Sequence, residues 1–238
     1  MKKILKKIII TGAAGRIGTI LRNGLERKYP LTFLDKKKLN CKNAVKIDIA
    51  KEFDRLIKIF KKHQVVIHLA WNNKEDFPNE VIIPENKRIA ENIYRAAVKS
   101  GVKRVIIASS VHVDDYSNYN KLELISPERI PWPDSPYGVT KIYIEALGRY
   151  FANEYGLEVI CIRFGGVNPE DKILYNEDPN YHKVWLSSRD CLSLIIKCIE
   201  VKKIPNNFVV FYAVSNNFNR IHDISNPFNW APKDGISK

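Results

Sequence analysis

Cysteine is scarce and scattered. The four residues, Cys41, Cys161, Cys191 and Cys198, form no C-x-x-C pair and no metal-ligand spacing, so neither a disulfide framework nor a metal site is expected. Cys161 falls in an apolar strand and the last two fall on a helical segment, a setting for reduced, buried thiols in a cytoplasmic protein. Long apolar runs are absent too: none approaches the ~20 residues a membrane-spanning helix needs. The opening Met1 to Ile10 has too short an apolar stretch for a secretory signal and feeds directly into a glycine turn. There is no repeat at solenoid periods and no low-complexity tract. At 238 residues the chain suits one sizeable core and is short for two, so one domain over 1–238 is expected.

Acidic residues are the minority. Lys+Arg number 39 against 26 Asp+Glu, a formal charge of +13, which favours anionic partners. The basic residues sit in short runs such as Lys2-Lys3, Lys36-Lys37-Lys38 and Lys61-Lys62, the pattern of a solvated, lysine-rich surface. No zinc-finger spacing, aromatic RNA-binding signature or basic heptad accompanies them, so nucleic acid is not the expected partner. Phosphorylated or carboxylated metabolites suit the same charge.

What the chain does have is strand-length apolar runs alternating with amphipathic, helix-length segments. Strands are expected at Ile4–Thr11, Leu31–Leu34, Ala44–Ile47, Val65–Leu69, Val102–Ala108, Leu157–Arg163 and Asn207–Val214. Helices are expected at Arg16–Lys28, Ala50–Lys62, Glu80–Ser100, Asp134–Tyr155 and Ser187–Val201, with Gly101 and Gly156 as C-terminal stops. The strands are continuously apolar rather than alternating, as strands buried on both faces must be. Strand–helix–strand succession predicts a doubly wound, parallel α/β sheet. The polar and aromatic stretch from Val111 to Pro136 is the main irregular insertion, of the kind that usually carries function.

The first strand runs into Thr11-Gly12-Ala13-Ala14-Gly15-Arg16-Ile17-Gly18. Glycines there permit a tight turn and close approach to a pyrophosphate, and the following helix offers its N-terminal N–H groups to the phosphates. Asp35 stands about 20 residues past Gly15, where a carboxylate accepts hydrogen bonds from the adenosine ribose and repels a 2′-phosphate. NAD is therefore the expected cofactor, on an NAD(P)-binding Rossmann fold. Lys36 to Lys38 oppose that preference, since any of them could pair with a 2′-phosphate.

Tyr137-Gly138-Val139-Thr140-Lys141 sets a tyrosine and a lysine four apart on one helix face. An ammonium beside a phenol favours the phenolate, which can exchange a proton with a hydroxyl or carbonyl while a nicotinamide exchanges hydride. The fifth strand ends in Ala108-Ser109-Ser110-Val111-His112, at the edge where parallel sheets bind ligands. Ser110 is placed to bond the reacting oxygen. His112 is either a substrate contact or a packing residue.

Gly12-x-x-Gly15-x-x-Gly18, Asp35, Asp48-Ile49, His68-Leu69-Ala70, Asn86, Ser109-Ser110 and Tyr137-x-x-x-Lys141 together resemble the extended short-chain dehydrogenase/reductases, in the NAD-dependent epimerase/dehydratase group, over about residues 4 to 215. Thr11 to Gly18, Ala108 to His112, Tyr137 to Lys141, Arg163-Phe-Gly-Gly166 and Trp185 to Cys191 are similar to the uronate dehydrogenases and the archaeal NAD-dependent glucose 6-phosphate dehydrogenases. The resemblance implies oxidation of a sugar's anomeric hydroxyl to a lactone, with Ser110, Tyr137 and Lys141 catalytic. It implies that Arg16, Ile17, Asp48, Ile49, Leu69, Ala70, Trp71 and Asn86 join the glycines and Asp35 around NAD, with Asp48 and Ile49 flanking the adenine. Asn73 with the loop after it, His112 and Gly166 would hold the sugar. It also implies a homodimer pairing the third and fourth long helices, with Leu147, Tyr150, Phe151 and Tyr155 as apolar surface.

Two positions depart from the family pattern. Val111 stands where an asparagine is usual, and Asn180 falls near the arginine that grips a uronate carboxylate. About 75 residues follow the sixth strand, enough for a short substrate cap within about 165–238 and suited to a small substrate. The alternatives are a nucleotide-sugar epimerase or dehydratase with tightly held NAD, a non-enzymatic NAD-responsive binder, and a nucleic-acid binder resting on charge alone.

Overall fold

The computed structural model describes residues 5–72, 83–119, 122–174 and 179–237. In chain order the elements are β1 (Ile8–Thr11), α1 (Arg16–Leu25), β2 (Leu31–Asp35), β3 (Ala44–Lys46), α2 (Phe53–Phe60), β4 (Val65–His68), α3 (Pro84–Ser100), β5 (Arg104–Ser110), α4 (Pro136–Tyr155), β6 (Glu158–Phe164), α5 (Tyr181–Val184), α6 (Ser188–Glu200) and β7 (Phe208–Ala213). The strands form one seven-stranded sheet in the order β3-β2-β1-β4-β5-β6-β7, and every pairing is parallel. The doubly wound α/β expectation is met.

The strands explain their own composition. Ile8 and Ile10 face one apolar layer, closed by α1 and α6 through Leu21, Leu25, Leu194 and Ile195. Ile9 faces the other, closed by α2, α3 and α4 through Leu56, Phe60, Ile93 and Ile144. Each such fully buried side chain contributes roughly 1.5–3 kcal/mol. Both faces are covered, so alternation disappears from the sequence.

Element ends differ from expectation where pairing partners set them. β1 begins at Ile8, because its neighbours β2 and β4 begin at Leu31 and Val65 and pair with Ile8 itself. β5 continues through Ser109 and Ser110, which stay in register with Arg163 and Phe164 although the apolar run has stopped. α3 starts at Pro84, with proline in its first turn; the expected start at Glu80 lies outside the described residues. α1 ends at Leu25, and the short α5 was not expected.

Of the residues after β6, Gly166, Val167, Tyr181 and Val184 lie beside the carboxyl edge of the sheet, and the rest complete the sheet and its cover. β7 extends the sheet and α6 seals one of its faces. The C-terminal segment is strapped down by the buried Asp190, whose carboxylate accepts from Lys233 N (2.8 Å), Asp234 N (3.0 Å) and Ser215 Oγ (2.7 Å). All four cysteines are free thiols, three of them buried. Among the described residues no helix is long and apolar enough to cross a membrane.

Two histidines are sealed inside. His68, at the end of β4, contacts Thr11 Oγ1 through Nδ1 at 2.7 Å, and Thr11 Oγ1 also accepts from Leu69 N and Ala70 N. His222 lies 4.5 Å from the Tyr212 ring. Burial, with Lys141 nearby, pushes His68 down to about 3. Burial, with Arg163 and Arg220 nearby, does the same to His222. In the unfolded chain both imidazoles protonate below their ordinary value of 6.5, so the unfolded state binds more protons between about pH 6.5 and 3. Stability is therefore complete above that window and falls through it on acidification. Each histidine is expected to remove roughly 2 to 3 kcal/mol by about pH 4.5. Urea unfolding at neutral and acid pH should show His222→Leu losing less on acidification than the parent. An identical pH slope in the two proteins would refute this account.

Candidate active site

The site lies at the carboxyl edge of the sheet, where β1 pairs with β2 on one side and β4 on the other and the winding direction reverses. Gly12 turns the chain out of β1 at φ +67, and a Cβ there would stand 2.5 Å from Ala70 N. A Cβ on Gly18 would stand 2.5 Å from Gly12 O, so α1 can start this close to the turn only with glycine there. α1 opens at Arg16 with Gly15 as a cap that has no side-chain hydrogen bond to its first N–H groups.

Two adjoining cavities open here. The larger, about 1110 Å³, is lined by Gly12, Gly15, Arg16, Ile17, Asp35, Asp48, Ile49, Leu69, Ala70 and Trp71, and by Ser110, Tyr137 and Lys141. The smaller, about 660 Å³, is lined by Gly18, His112, Gly166, Tyr116, Tyr181 and Val111. Gly12, Leu69, Ser110, Tyr137 and Gly165 belong to both, so the serine and the tyrosine stand where the cavities meet.

Asp35 is oriented by two backbone donors: Ala14 N–H to Oδ2 and Lys37 N–H to Oδ1, both 2.8 Å. Lys141 is 3% exposed, and its ammonium donates to Ala108 O at 2.9 Å. That ammonium sits 4.3 Å from the Trp71 ring centre and 5.1 Å from that of Tyr137. A cation held that close stabilises negative charge developing on the phenol oxygen. Ser135 caps α4 by accepting from Gly138 N at 3.2 Å, which fixes the turn carrying Tyr137. Ser110 Oγ accepts from His112 N at 3.3 Å. His112 Nδ1 donates to Asp134 Oδ2 at 2.7 Å, and its ring meets that of Tyr137 edge-on at 5.7 Å. With Nδ1 committed, Nε2 is the nitrogen left for a ligand.

One expected residue stands behind the cavity wall. Asn86 is fully buried and lines neither cavity. Its amide accepts from Asn72 N (2.9 Å) and donates to Asn72 O (2.7 Å), fixing the segment after β4 that carries Trp71. Asn73 lies outside the described residues. Val111 is 3% exposed, packed with Val113 and Tyr116, and presents an apolar wall to the smaller cavity.

Sequence reasoning missed several lining residues. Phe164 and Gly165, at the carboxyl end of β6, border both cavities; the strand-end rule that singled out Ser110 applies to them equally. Glu85 enters the larger cavity from the first turn of α3, with no local pattern to announce it.

The profile of the NAD dependent epimerase/dehydratase family matches residues 8–177. The chain belongs to this family. L-arabinose 1-dehydrogenase (NAD(P)(+)) from Haloferax volcanii is 29% identical, over 91% of each chain. Uronate dehydrogenase from Pseudomonas syringae pv. tomato is 30% identical, over 96% of this chain and 82% of its own. A crystal structure of uronate dehydrogenase from Agrobacterium tumefaciens superposes at a TM-score of 0.85 with 27% identity, covering 97% of this chain and 85% of that one. A variant of that enzyme is known complexed with NAD, and its structure matches with a TM-score of 0.84. The glycine-lined larger cavity, bordered by the Asp35 carboxylate, fits the family's cofactor.

Proposed function

We propose that this chain is an NAD-dependent dehydrogenase that oxidises the anomeric hydroxyl of a small sugar, sugar acid or sugar phosphate to a lactone. The observation that carries the reading is the meeting of Ser110 and Tyr137 at the junction of a dinucleotide-sized cleft and a smaller pocket, with a buried ammonium beside the phenol. NAD, when bound, supplies the hydride acceptor. The glycine turn and α1's first turn would receive its pyrophosphate, Asp35 its adenosine ribose, and Asp48 and Ile49 its adenine. Tyr137 takes the proton from the sugar hydroxyl. Lys141 holds the phenolate charge, and Ser110 bonds the reacting oxygen. His112, steadied by Asp134, and Gly166 border the sugar.

The smaller pocket, about 660 Å³ and walled by Gly166, Val167, Tyr181 and Val184 from the residues after β6, supports a small substrate. A homodimer through α3 and α4 and a cytoplasmic location go with this reading. Tyr150 and Tyr155 are exposed on α4, and Phe151 is stacked beneath them between Tyr94 and Tyr155. The test is NADH formation by the purified chain with aldoses, uronates and sugar phosphates. Turnover on one class is expected, and Ser110→Ala should lower it by about 10²-fold. No turnover on any class, by a protein that binds NAD, would overturn the assignment.

A further inference from the structure

Lys36 follows the ribose-facing Asp35, where a free ammonium would offset that carboxylate's repulsion of a 2′-phosphate. It is not free. Its Nζ is bonded to Glu85 Oε1 and lies 3.7 Å from Asp48 Oδ2. Glu85 is itself fixed: its other oxygen accepts from Asn72 Nδ2 at 2.8 Å, and Asn72's backbone is held by Asn86. The first turn of the 17-residue α3 favours a carboxylate at this position. The Lys36 bond and, after it, the Asn72 bond hold the Glu85 carboxyl below its ordinary range, and the same bond raises Lys36. One ammonium thus serves two carboxylates within reach, and Lys36 has little charge to offer a third anion.

We propose that Glu85, acting through Lys36, is a positioning residue that makes the cleft discriminate against a dinucleotide with a 2′-phosphate on its adenosine ribose. The inference rests on reading this cleft as the dinucleotide site. It assigns the discrimination to a residue 50 positions beyond the Asp35 carboxylate, on α3 rather than at the end of β2.

The test is direct binding of NADH and NADPH, needing no sugar, to the parent, Glu85→Gln, Glu85→Ala and Glu85→Gln combined with Lys36→Ala. The parent is expected to prefer NADH. Both Glu85 variants should shift the NADPH-to-NADH affinity ratio toward NADPH by about tenfold, and the gain should shrink as salt rises. Removing Lys36 as well should abolish it. An unchanged ratio in both Glu85 variants overturns the inference, as does a gain that survives loss of Lys36, which would be a simple charge effect. A parent that binds NADPH as well as NADH also overturns it while leaving the dinucleotide site standing. Failure to bind either dinucleotide sinks the cleft reading itself.

Discussion

Tyr137→Phe is expected to cut turnover by roughly 10²- to 10⁴-fold, the range for losing a positioned general base. Affinity for NADH should stay within a few-fold. The phenyl ring retains the packing against His112, whose centre lies 5.7 Å away, and retains the face that Lys141 approaches. The substitution deletes only the oxygen that we propose exchanges the proton. The loss should fall on kcat and kcat/KM together, because the hydroxyl acts in the transition state rather than in holding the sugar. Lys141→Met should produce a comparable loss but also weaken dinucleotide binding, since the ammonium anchors to Ala108 O and borders the cleft. Steady-state kinetics with NADH titration separates the two. Full activity in Tyr137→Phe would remove the enzyme assignment, because no other phenol stands where the cavities meet among the described residues.

The sequence was most legible where the chain's own spacing carries the chemistry. The glycine turn, Asp35 and the Tyr137–Lys141 pair each depend on neighbours a few residues away or on one strand-helix unit. Strand identity was equally legible, because burial on both faces leaves a continuous apolar run such as Ile8 to Ile10. Strand ends were not, since they depend on partners far along the chain: Ser109 and Ser110 extend β5 only because β6 continues beside them. Asn86 shows the same limit. Its place in the motif pointed to the cofactor, but nothing local announced that its buried amide bonds the backbone of Asn72, on the segment that carries Trp71. Lys36 was legible as a lysine next to Asp35. The acid that occupies it, brought in by α3, was not.

The least legible feature is the charge buried beneath the site, and it carries the largest expected stability effect. Glu145 lies one turn after Lys141 on α4 and is 7% exposed. Its carboxylate takes both arms of Arg163, Nε at 3.0 Å and Nη2 at 2.9 Å, and accepts from Ser109 Oγ. Arg163, 2% exposed near the carboxyl end of β6, also donates to Tyr212 Oη at 2.9 Å, and Tyr212 donates to Asp114. Glu145→Ala strands this guanidinium in the core, with Asp114 at 3.8 Å its nearest remaining carboxylate. A buried charge left without its partner costs about 3–5 kcal/mol, which lowers Tm by roughly 6–20 °C for a domain of this size. Removing both charges in Glu145→Leu with Arg163→Met should recover much of that stability, since an apolar pair of similar volume carries no desolvation penalty. Activity should not recover with it. The carboxylate ties Ser109, and hence the strand end presenting Ser110, to the helix presenting Lys141. The double variant should therefore be folded but slower, with the deficit in kcat. A single variant losing less than about 1 kcal/mol, or a double variant no more stable than the single, would show that the buried pair neither holds the fold nor sets the site.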